Sequence, residues 1–209
     1  MNMRKRFEGV FQKKCLKLFV SAYQTARNEK SVKIEWKEND ITKKLHEYLK
    51  INPVRKEWNI STDLEHYIDK ANIGEEKGFA DKSSRIDLKF STFTFLSLKI
   101  MNFQSSFEYF YFIEAKRLKE NDKPLQVRYI STGIDNFTSK KYDNGCLIGY
   151  LVEGNLKLTI TKINSLLEKD NRKTEFLNFK ESDLHDFYYE SEHIEIGILK
   201  HFIFDFTEE

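Results

Sequence analysis

The sequence is poor in cysteine, proline and glycine. Its 209 residues include two cysteines, two prolines and eight glycines. The two cysteines, Cys15 and Cys146, cannot form a metal cluster by themselves, and their scarcity suits a reducing compartment. No stretch rich in proline, glycine or serine divides the chain as a linker would, so we expect a single domain over residues 1–209.

Long apolar runs are also missing. No run approaches the ~20 residues that a membrane span needs, and Lys13, Lys14 and Lys17 interrupt the apolar residues of the basic N-terminal stretch. These absences predict a cytoplasmic protein with no membrane partner. What is present is a hydrophobic fraction of 40%, with 18 Phe and 10 Tyr, which is enough for a sizeable core and argues against disorder.

Charge is distributed unevenly along the chain, although the net charge is only +2. Residues 1–50 carry thirteen Lys or Arg and six acids, whereas residues 181–209 carry one Lys and nine acids. This asymmetry fits one face that accepts a polyanion and another that repels it. Two ordinary solvated surfaces explain the same counts, and charge alone favours that simpler interpretation.

Hydrophobic periodicity predicts the fold class and its order of elements. We expect an α/β fold with a central mixed β-sheet flanked by helices. Residues 69–84 are expected to form a loop, and no regular element is assigned to the apolar segment 91–106. The predicted elements are helices over 5–28 and 39–50, strands over 56–68, 84–90 and 109–118, a helix over 124–137, a strand over 145–152, a helix over 155–169 and strands over 186–206.

The predicted strand Tyr109–Leu118 ends in two charged residues. Side chains alternate along a strand, so Glu114 and Lys116 project to the same side, about 6–7 Å apart. Asp87 lies on the polar row of an earlier strand and reaches the same place if the two strands pair. Two carboxylates offer the hard oxygen ligands that Mg²⁺ takes. The ammonium can orient or deprotonate a water, or stabilise developing charge on a phosphate. The alternative is a solvent-exposed Glu–Lys pair of little consequence.

The segments "RIDL" and "YFYFIEAKRL" resemble the PD-(D/E)XK nuclease superfamily, which has the restriction-endonuclease-like fold. The resemblance spans roughly residues 38–153. It implies a catalytic core over that range, an N-terminal helical extension over 1–37 and a C-terminal helix and strands over 154–209. It also implies that Asp87, Glu114 and Lys116 are the catalytic residues.

The same resemblance implies a metal cofactor and its ligands. The expected cofactor is Mg²⁺, with Mn²⁺ as a substitute. Glu38 is assigned from the second predicted helix, with Glu47 as the alternative. Glu114 lies 27 positions after Asp87, and the residues between them are expected to loop out without disturbing strand pairing. Ile86 stands where the family has proline. The implied metal ligands are Asp87, Glu114, Ala115 and Glu38.

Residues that follow the motif are candidates for contact with nucleic acid. Seven cations outnumber three acids over residues 116–141, and such cations can bind phosphates. Gln126 and Tyr129 lie one helical turn apart and resemble the Gln/Tyr helix of RecB-like nucleases. The alternative, which we favour, is a core Tyr129 and a surface Gln126. The candidate phosphate-binding residues are Arg117, Lys119, Lys123, Arg128, Lys140 and Lys141.

The predicted function is metal-dependent hydrolysis of phosphodiester bonds in DNA. The resemblance connects this activity with prokaryotic restriction or phage defence. An RNA-cutting nuclease of the same fold is one alternative, and a catalytically silent module that binds nucleic acid or protein is another. A homodimer, or a partner protein of a defence system, is also expected, because cutting both strands of a duplex usually calls for two active sites.

Overall fold

The computed structural model describes residues 3–68, 84–98 and 103–207. A one-turn π-helix over Tyr129–Ile134 lies between two of the helices, and a 3₁₀ turn covers Lys173–Glu175. Within the described residues, no helix is both long and apolar enough to cross a membrane. The helices are α1 (Met3–Asn28), α2 (Glu38–Ile51), α3 (Pro53–Glu57), α4 (Lys123–Arg128), α5 (Asp135–Thr138) and α6 (Leu156–Lys169).

Seven described strands form one mixed sheet in the order β1-β2-β3-β4-β7-β6-β5. The β3–β4 and β4–β7 pairs are parallel, and the other pairs are antiparallel. The predicted fold class, α/β with a central mixed sheet and helices, is confirmed. The strands are β1 (Ser61–Ile68), β2 (Ser84–Leu98), β3 (Phe103–Lys119), β4 (Cys146–Glu153), β5 (Asn178–Phe179), β6 (Tyr188–His193) and β7 (Gly197–Asp205).

Helices cover both faces of the sheet, because successive strand side chains point to opposite sides. On β3, Tyr111 and Ile113 join a core that includes residues of α1 and α2. Phe112 and Leu118 join a second core that includes residues of the π-helix and α6. Strand β3 is therefore buried on both sides. The charged residues lie toward its C-terminal end.

Two glycines allow the π-helix to approach the sheet closely. A Cβ at Gly149, on β4, would lie 3.3 Å from Tyr129 Cε2 of the π-helix, and only 2.6 Å from Leu118 Cδ1 of the neighbouring strand. A Cβ at Gly133, in the π-helix, would lie 2.9 Å from Leu147 Cδ2 and 3.5 Å from Lys116 Cγ. The lack of side chains at these positions lets the helix pack against the aliphatic stem of Lys116.

The segment between the two strand acids does not loop out, and that prediction is wrong. Strands β2 and β3 pair continuously from Leu88–Ile113 to Leu98–Phe103, so the segment lengthens both strands of one antiparallel hairpin. Its Thr and Phe residues are of types that favour extended structure, which accounts for the result. Residues 99–102 of this segment, and residues 69–83 of the predicted loop, lie outside the described residues.

The short helix α3 was not predicted, and one boundary shifts because of it. Pro53 ends α2 as predicted but begins α3, because proline is favoured in the first turn of a helix. The side chain of Asn52 caps α3 by accepting a hydrogen bond of 3.0 Å from the Val54 amide. The following strand consequently begins at Ser61 instead of Lys56. The division of the chain at residues 37 and 153 stays a prediction.

Candidate active site at the end of β3

The antiparallel pairing of β2 and β3 brings Asp87 opposite Glu114. Leu88 pairs with Ile113, so the next position along this register sets the two acids across from each other, where Cβ atoms are ~5 Å apart. Asp87 Oδ2 accepts a hydrogen bond of 2.7 Å from the Ala115 amide. Both carboxylates are buried, with 9% of Asp87 and 4% of Glu114 exposed. The shared sheet face that alternation predicts is therefore observed.

Lys116 lies beside these acids, with its ammonium among oxygen atoms. Lys116 Nζ donates to Glu114 Oε1 at 2.5 Å and to the main-chain oxygen of Ala115 at 3.0 Å. Glu38 Oε1 lies 3.6 Å from the same nitrogen. Only 5% of Lys116 is exposed, so this is a buried ion pair and not the exposed strand-end pair considered as its alternative.

Glu38 reaches the site from the first residue of α2. Ile41 and Leu45 are buried, so the side of α2 that carries them faces the sheet. Glu38 lies at the N-terminal end of that side, next to the C-terminal end of β3. Glu38 Oε2 accepts a hydrogen bond of 3.1 Å from the Arg117 amide. Glu47, the alternative, pairs instead with Lys44 at 3.1 Å and leaves 56% of its side chain exposed. Glu38 is thus the acid that joins the pair on the strands, and we call Asp87, Glu114, Lys116 and Glu38 the carboxylate cluster.

Tyr142 also contacts the carboxylate cluster and was not predicted from the sequence. Its hydroxyl donates a hydrogen bond of 2.9 Å to Glu114 Oε2. The ring is buried between Phe112 and Phe137. Nothing in the local pattern "KKYDNG" marks this tyrosine, because its contact depends on where the chain returns after α5. Glu114 therefore has a hydrogen-bond donor on each carboxylate oxygen.

The electrostatics of the cluster follow from burying several charges together. Burial, and then the neighbouring Glu114 carboxylate, raise the pKa of Asp87 to about 7, although the Lys116 ammonium opposes this. Burial alone would lower the pKa of Lys116, but the carboxylates of Glu114, Glu38 and Asp87 together outweigh it and raise that pKa. Lys116 is accordingly an ammonium at neutral pH. One buried cation is shared by three acids.

The donor atoms of the cluster suit a hard divalent cation. Asp87, Glu114 and Glu38 supply carboxylate oxygens, and Ala115 supplies a main-chain oxygen. The Lys116 ammonium forms ion pairs with Glu114 and Glu38, so one positive charge already lies among these oxygens. Mg²⁺ prefers such ligands, usually with several waters. Among the residues whose side chains the structure describes, no group of three or more His, Cys, Asp or Glu side chains is placed so that it could hold a metal ion.

Two of the six candidate phosphate-binding residues lie at the cluster. Arg128 Nη2 is 3.4 Å from Glu38 Oε1, and 54% of the arginine side chain is exposed. Arg117 contributes its amide to Glu38 and donates from Nη2 to the main-chain oxygen of Ile34 at 2.7 Å. Both arginines therefore border the acids, and Arg128 is open to an incoming anion.

The other four candidate cations have partners or positions of their own. Lys119 forms an ion pair of 2.5 Å with Glu153. Lys123 lines a separate cleft beside α6. Lys140 is exposed in a left-handed turn with a φ of 56°, and Lys141 Nζ lies 3.5 Å from Asn136 Oδ1. Contact of these four residues with phosphate stays a prediction.

Gln126 and Tyr129 take structural contacts in the described fold. Gln126 was expected at the surface, which is wrong: it is buried and its amide donates to the main-chain oxygens of Lys119 and Glu120. These bonds hold the end of β3 against α4. Tyr129 is a core residue, as the favoured alternative predicts, and its hydroxyl is 3.0 Å from His201 Nδ1.

Tyr129 belongs to a second buried polar group on the same sheet face. Ser191 Oγ lies 2.7 Å from His201 Nε2 and 2.6 Å from His193 Nε2. His193 Nδ1 is 2.9 Å from a Glu175 carboxylate oxygen, outside hydrogen-bonding geometry. Ser191 is fully buried, so no substrate can reach its hydroxyl. We call Tyr129, Ser191, His193 and His201 the histidine network.

Comparison of the chain with known proteins adds no relative to these observations. No protein-family model matches the chain. No curated protein and no solved structure matches it either.

Proposed function

We propose that the chain is a metal-dependent nuclease whose core, from α2 to β4, has the restriction-endonuclease-like fold. The order α2, β1, β2, β3, helix and β4 supports this, with three antiparallel strands followed by a helical crossover to a parallel strand. That is the arrangement the resemblance to PD-(D/E)XK nucleases implies. The function rests on the site and not on the fold alone.

The observation that carries the proposal is the burial of one ammonium with three carboxylates at the end of β3. Burying unbalanced charge is costly, and packed apolar residues would serve a purely structural role as well or better. The cost is visible as the raised pKa of Asp87. A cation that binds these acids would relieve it, so the cluster fits a metal site better than a scaffold.

The proposed ligands of Mg²⁺ or Mn²⁺ are the carboxylates of Asp87, Glu114 and Glu38 and the main-chain oxygen of Ala115. When bound, the ion would neutralise charge on a phosphate and lower the pKa of a water. The protein contributes fixed orientations: the Ala115 amide holds Asp87, the Arg117 amide holds Glu38, and Tyr142 holds Glu114. These donors keep the acids in place before substrate arrives.

Lys116 is proposed to stabilise negative charge on the phosphate during attack by water. Its raised pKa keeps the side chain protonated, so in this arrangement it donates hydrogen bonds and does not accept a proton. Arg128, with more than half of its side chain exposed beside Glu38, is proposed to bind a phosphate of the substrate. The two cations would then act on different steps, Arg128 on binding and Lys116 on rate.

DNA is the proposed substrate, and restriction or phage defence the proposed role, on the strength of the resemblance. RNA is the alternative substrate. The test is incubation of the chain with supercoiled plasmid, single-stranded DNA and RNA, each with Mg²⁺, Mn²⁺ or EDTA. Cleavage that needs the divalent ion is expected, and the substrate that is cut decides between DNA and RNA.

Matched variants connect any cleavage to the cluster. Asp87→Asn is compared with Asp63→Asn, which makes the same change at an exposed position of β1. The first is expected to abolish cleavage and to weaken metal binding in calorimetry, and the second to alter neither. Binding of nucleic acid without cleavage in any metal would instead identify a catalytically silent module. Cleavage that survives Asp87→Asn would remove the cluster from the reaction.

A further inference from the structure

A second cationic feature lies where α1 ends and the chain turns toward α2. A cleft of about 630 Å³ opens there. Its lining includes three cations, Arg27, Lys30 and Lys33, and one acid, Glu35. None of these cations is among the residues that follow the motif strand. The size and the positive charge of the cleft suit an anionic ligand.

The turn that carries Lys30 has a defined conformation. Lys30 has a φ of 48° and donates its amide to the Arg27 oxygen at 3.0 Å, while the Ser31 amide donates to the Ala26 oxygen at 3.0 Å. These two bonds close the C-terminus of α1 in the left-handed cap that glycine usually occupies. A lysine at this position is held at the rim of the cleft by main-chain bonds.

The cleft is joined to the carboxylate cluster through Arg117. The guanidinium of Arg117 donates to the Ile34 oxygen in the cleft wall, and its amide donates to Glu38 in the cluster. Ile34 and Glu38 are four residue steps apart along the chain, which spans at most ~14 Å. Phosphates of one duplex strand recur every ~3.4 Å along the helix axis, so this distance covers at most about four of them.

The residues that line the cleft keep a net positive charge after the negative charge of Glu35 and of the helix dipole is subtracted. Glu35 offsets one cation, and the C-terminal end of the α1 dipole offsets about half a charge more. A simple role in complementing that dipole would explain Arg27 and Lys30, which lie in or just after the last helical turn. It does not explain Lys33, because the dipole acts only within the last turn and α1 ends at Asn28.

We propose that this cleft is a subsite for the phosphodiester backbone of the substrate. It would bind the part of the nucleic-acid strand that leads away from the carboxylate cluster. The inference rests on the proposed nuclease function and deepens it. It assigns binding of the nucleic-acid strand to cations that precede the predicted catalytic core in the sequence. Lys30 and Lys33 contact successive phosphates there, and Arg117 sets the spacing between cleft and cluster.

The test measures binding of a fluorescent DNA duplex and of the matching single strand in EDTA, over a range of NaCl concentrations. The double variant Lys30→Gln/Lys33→Gln is compared with Lys157→Gln/Lys180→Gln, which removes two exposed lysines elsewhere. Each lost phosphate contact lowers the slope of log K against log salt by about 0.7–0.9. The cleft variant is therefore expected to lose about 1.4–1.8 of that slope, and the control none.

A single variant, Lys33→Gln, lies outside the helix cap and guards against misfolding at Lys30. It is expected to lose about 0.7–0.9 of the slope. An unchanged slope in both cleft variants, with wild-type chain that binds and cuts, would overturn the cleft and leave the nuclease intact. An equal loss in the control would also overturn it. Wild-type chain that neither binds nor cuts nucleic acid would overturn the nuclease and the cleft together.

Discussion

The carboxylate cluster and the histidine network are both largely buried, and their strand residues lie on the same face of one sheet, yet the two groups differ in charge. In the histidine network, burial lowers the pKa of His193 and lowers that of His201 to about 3. These rings are neutral at pH 7, and the Ser191 hydroxyl lies within hydrogen-bond distance of both. In the carboxylate cluster, burial and then the Glu114 carboxylate raise the pKa of Asp87 to about 7, while Lys116 stays an ammonium.

The comparison teaches which of two buried polar groups points to chemistry. A neutral network of hydroxyl and imidazole groups is compatible with a role in holding β6, β7 and the π-helix together. A buried set of like charges lowers the stability of the fold, so its presence calls for a reason other than stability. The site is therefore better sought where charge is retained against burial than where histidine is abundant.

The largest expected effect comes from removing the only cation inside the carboxylate cluster. Lys116→Met should reduce cleavage by about 10³-fold or more, because charge that develops on the phosphate loses its donor. It should also lower the free energy of unfolding in EDTA by about 3–5 kcal/mol, because three buried acids lose their counter-ion. Single-turnover cleavage and urea unfolding at pH 7 measure the two effects, and calorimetry should show metal affinity largely retained.

Lys119→Met is the matched control for that variant. Lys119 is on the same strand and pairs with an acid, but its side chain is 28% exposed and that of its partner Glu153 is 56% exposed. Loss of this surface pair should change stability by less than ~1 kcal/mol. Cleavage by Lys116→Met at the wild-type rate would remove Lys116 from the mechanism.

The histidine network should destabilise the fold in acid. The pKa of His201 is about 3 in the folded chain, below the ordinary value of 6.5. The unfolded chain therefore binds more protons between these pH values. Stability from the neutral ring is complete above pH 6.5 and is lost as pH falls toward 3, at ~1.4 kcal/mol per pH unit.

Comparison with His201→Gln isolates that contribution, because every other group titrates in both proteins. Urea unfolding from pH 7 to pH 4 gives the free energy of each. The wild-type curve should fall more steeply than the variant curve by the slope of one histidine. Parallel curves would show that His201 does not titrate with a lowered pKa.

Breaking the histidine network at its centre should affect stability alone. Ser191→Ala leaves the Nε2 atoms of His193 and His201 without their shared hydroxyl, at a cost of about 2–4 kcal/mol. Ser165→Ala, on the exposed side of α6, is the control and should stay within ~0.5 kcal/mol. Cleavage by Ser191→Ala, measured well below its melting temperature, should match wild type. A lower rate there would show that the two buried groups are coupled.

The smallest effect tests the outer contact of the carboxylate cluster. Tyr142→Phe removes the hydrogen bond to Glu114 Oε2 and should weaken metal affinity by about 10–100-fold. The loss of stability should be only ~1 kcal/mol. Tyr48→Phe, which removes a tyrosine hydroxyl from the surface acid Glu29, is the control and should leave metal affinity unchanged. Equal metal affinities in the two variants would exclude Tyr142 as a positioning residue.

Parts of the site that depend on local periodicity were predictable from the sequence. Alternation along two strands sets Asp87, Glu114 and Lys116 on one face, and the helical stripe of α2 points Glu38 toward them. Tyr142 and Arg128 were different cases. Tyr142 reaches the cluster by a return of the chain that no local pattern encodes. Arg128 was a candidate for phosphate, but its contact with Glu38 joins residues 90 positions apart.

Some details of the fold could not be predicted from the sequence for related reasons. The two-residue strand β5 is too short for any pattern, and the length of the β2–β3 hairpin depends on pairing that propensity alone does not fix. Two separate faces were one interpretation of the basic start and acidic end of the chain, although charge alone favoured ordinary solvated surfaces. Lys13 and Asp183 instead form an ion pair of 2.8 Å, so the two regions are neighbours in space.

The bond from the Arg117 amide to Glu38 also bears on how the chain is made. It joins residues 79 positions apart, so α2 leaves the ribosome well before its partner exists. At ~5–20 residues per second, Glu38 waits about 4–16 s for β3. Tyr142 follows later still. A nascent chain therefore has no complete carboxylate cluster, and the proposed cleavage requires that the residues through Tyr142 have first been synthesised and folded.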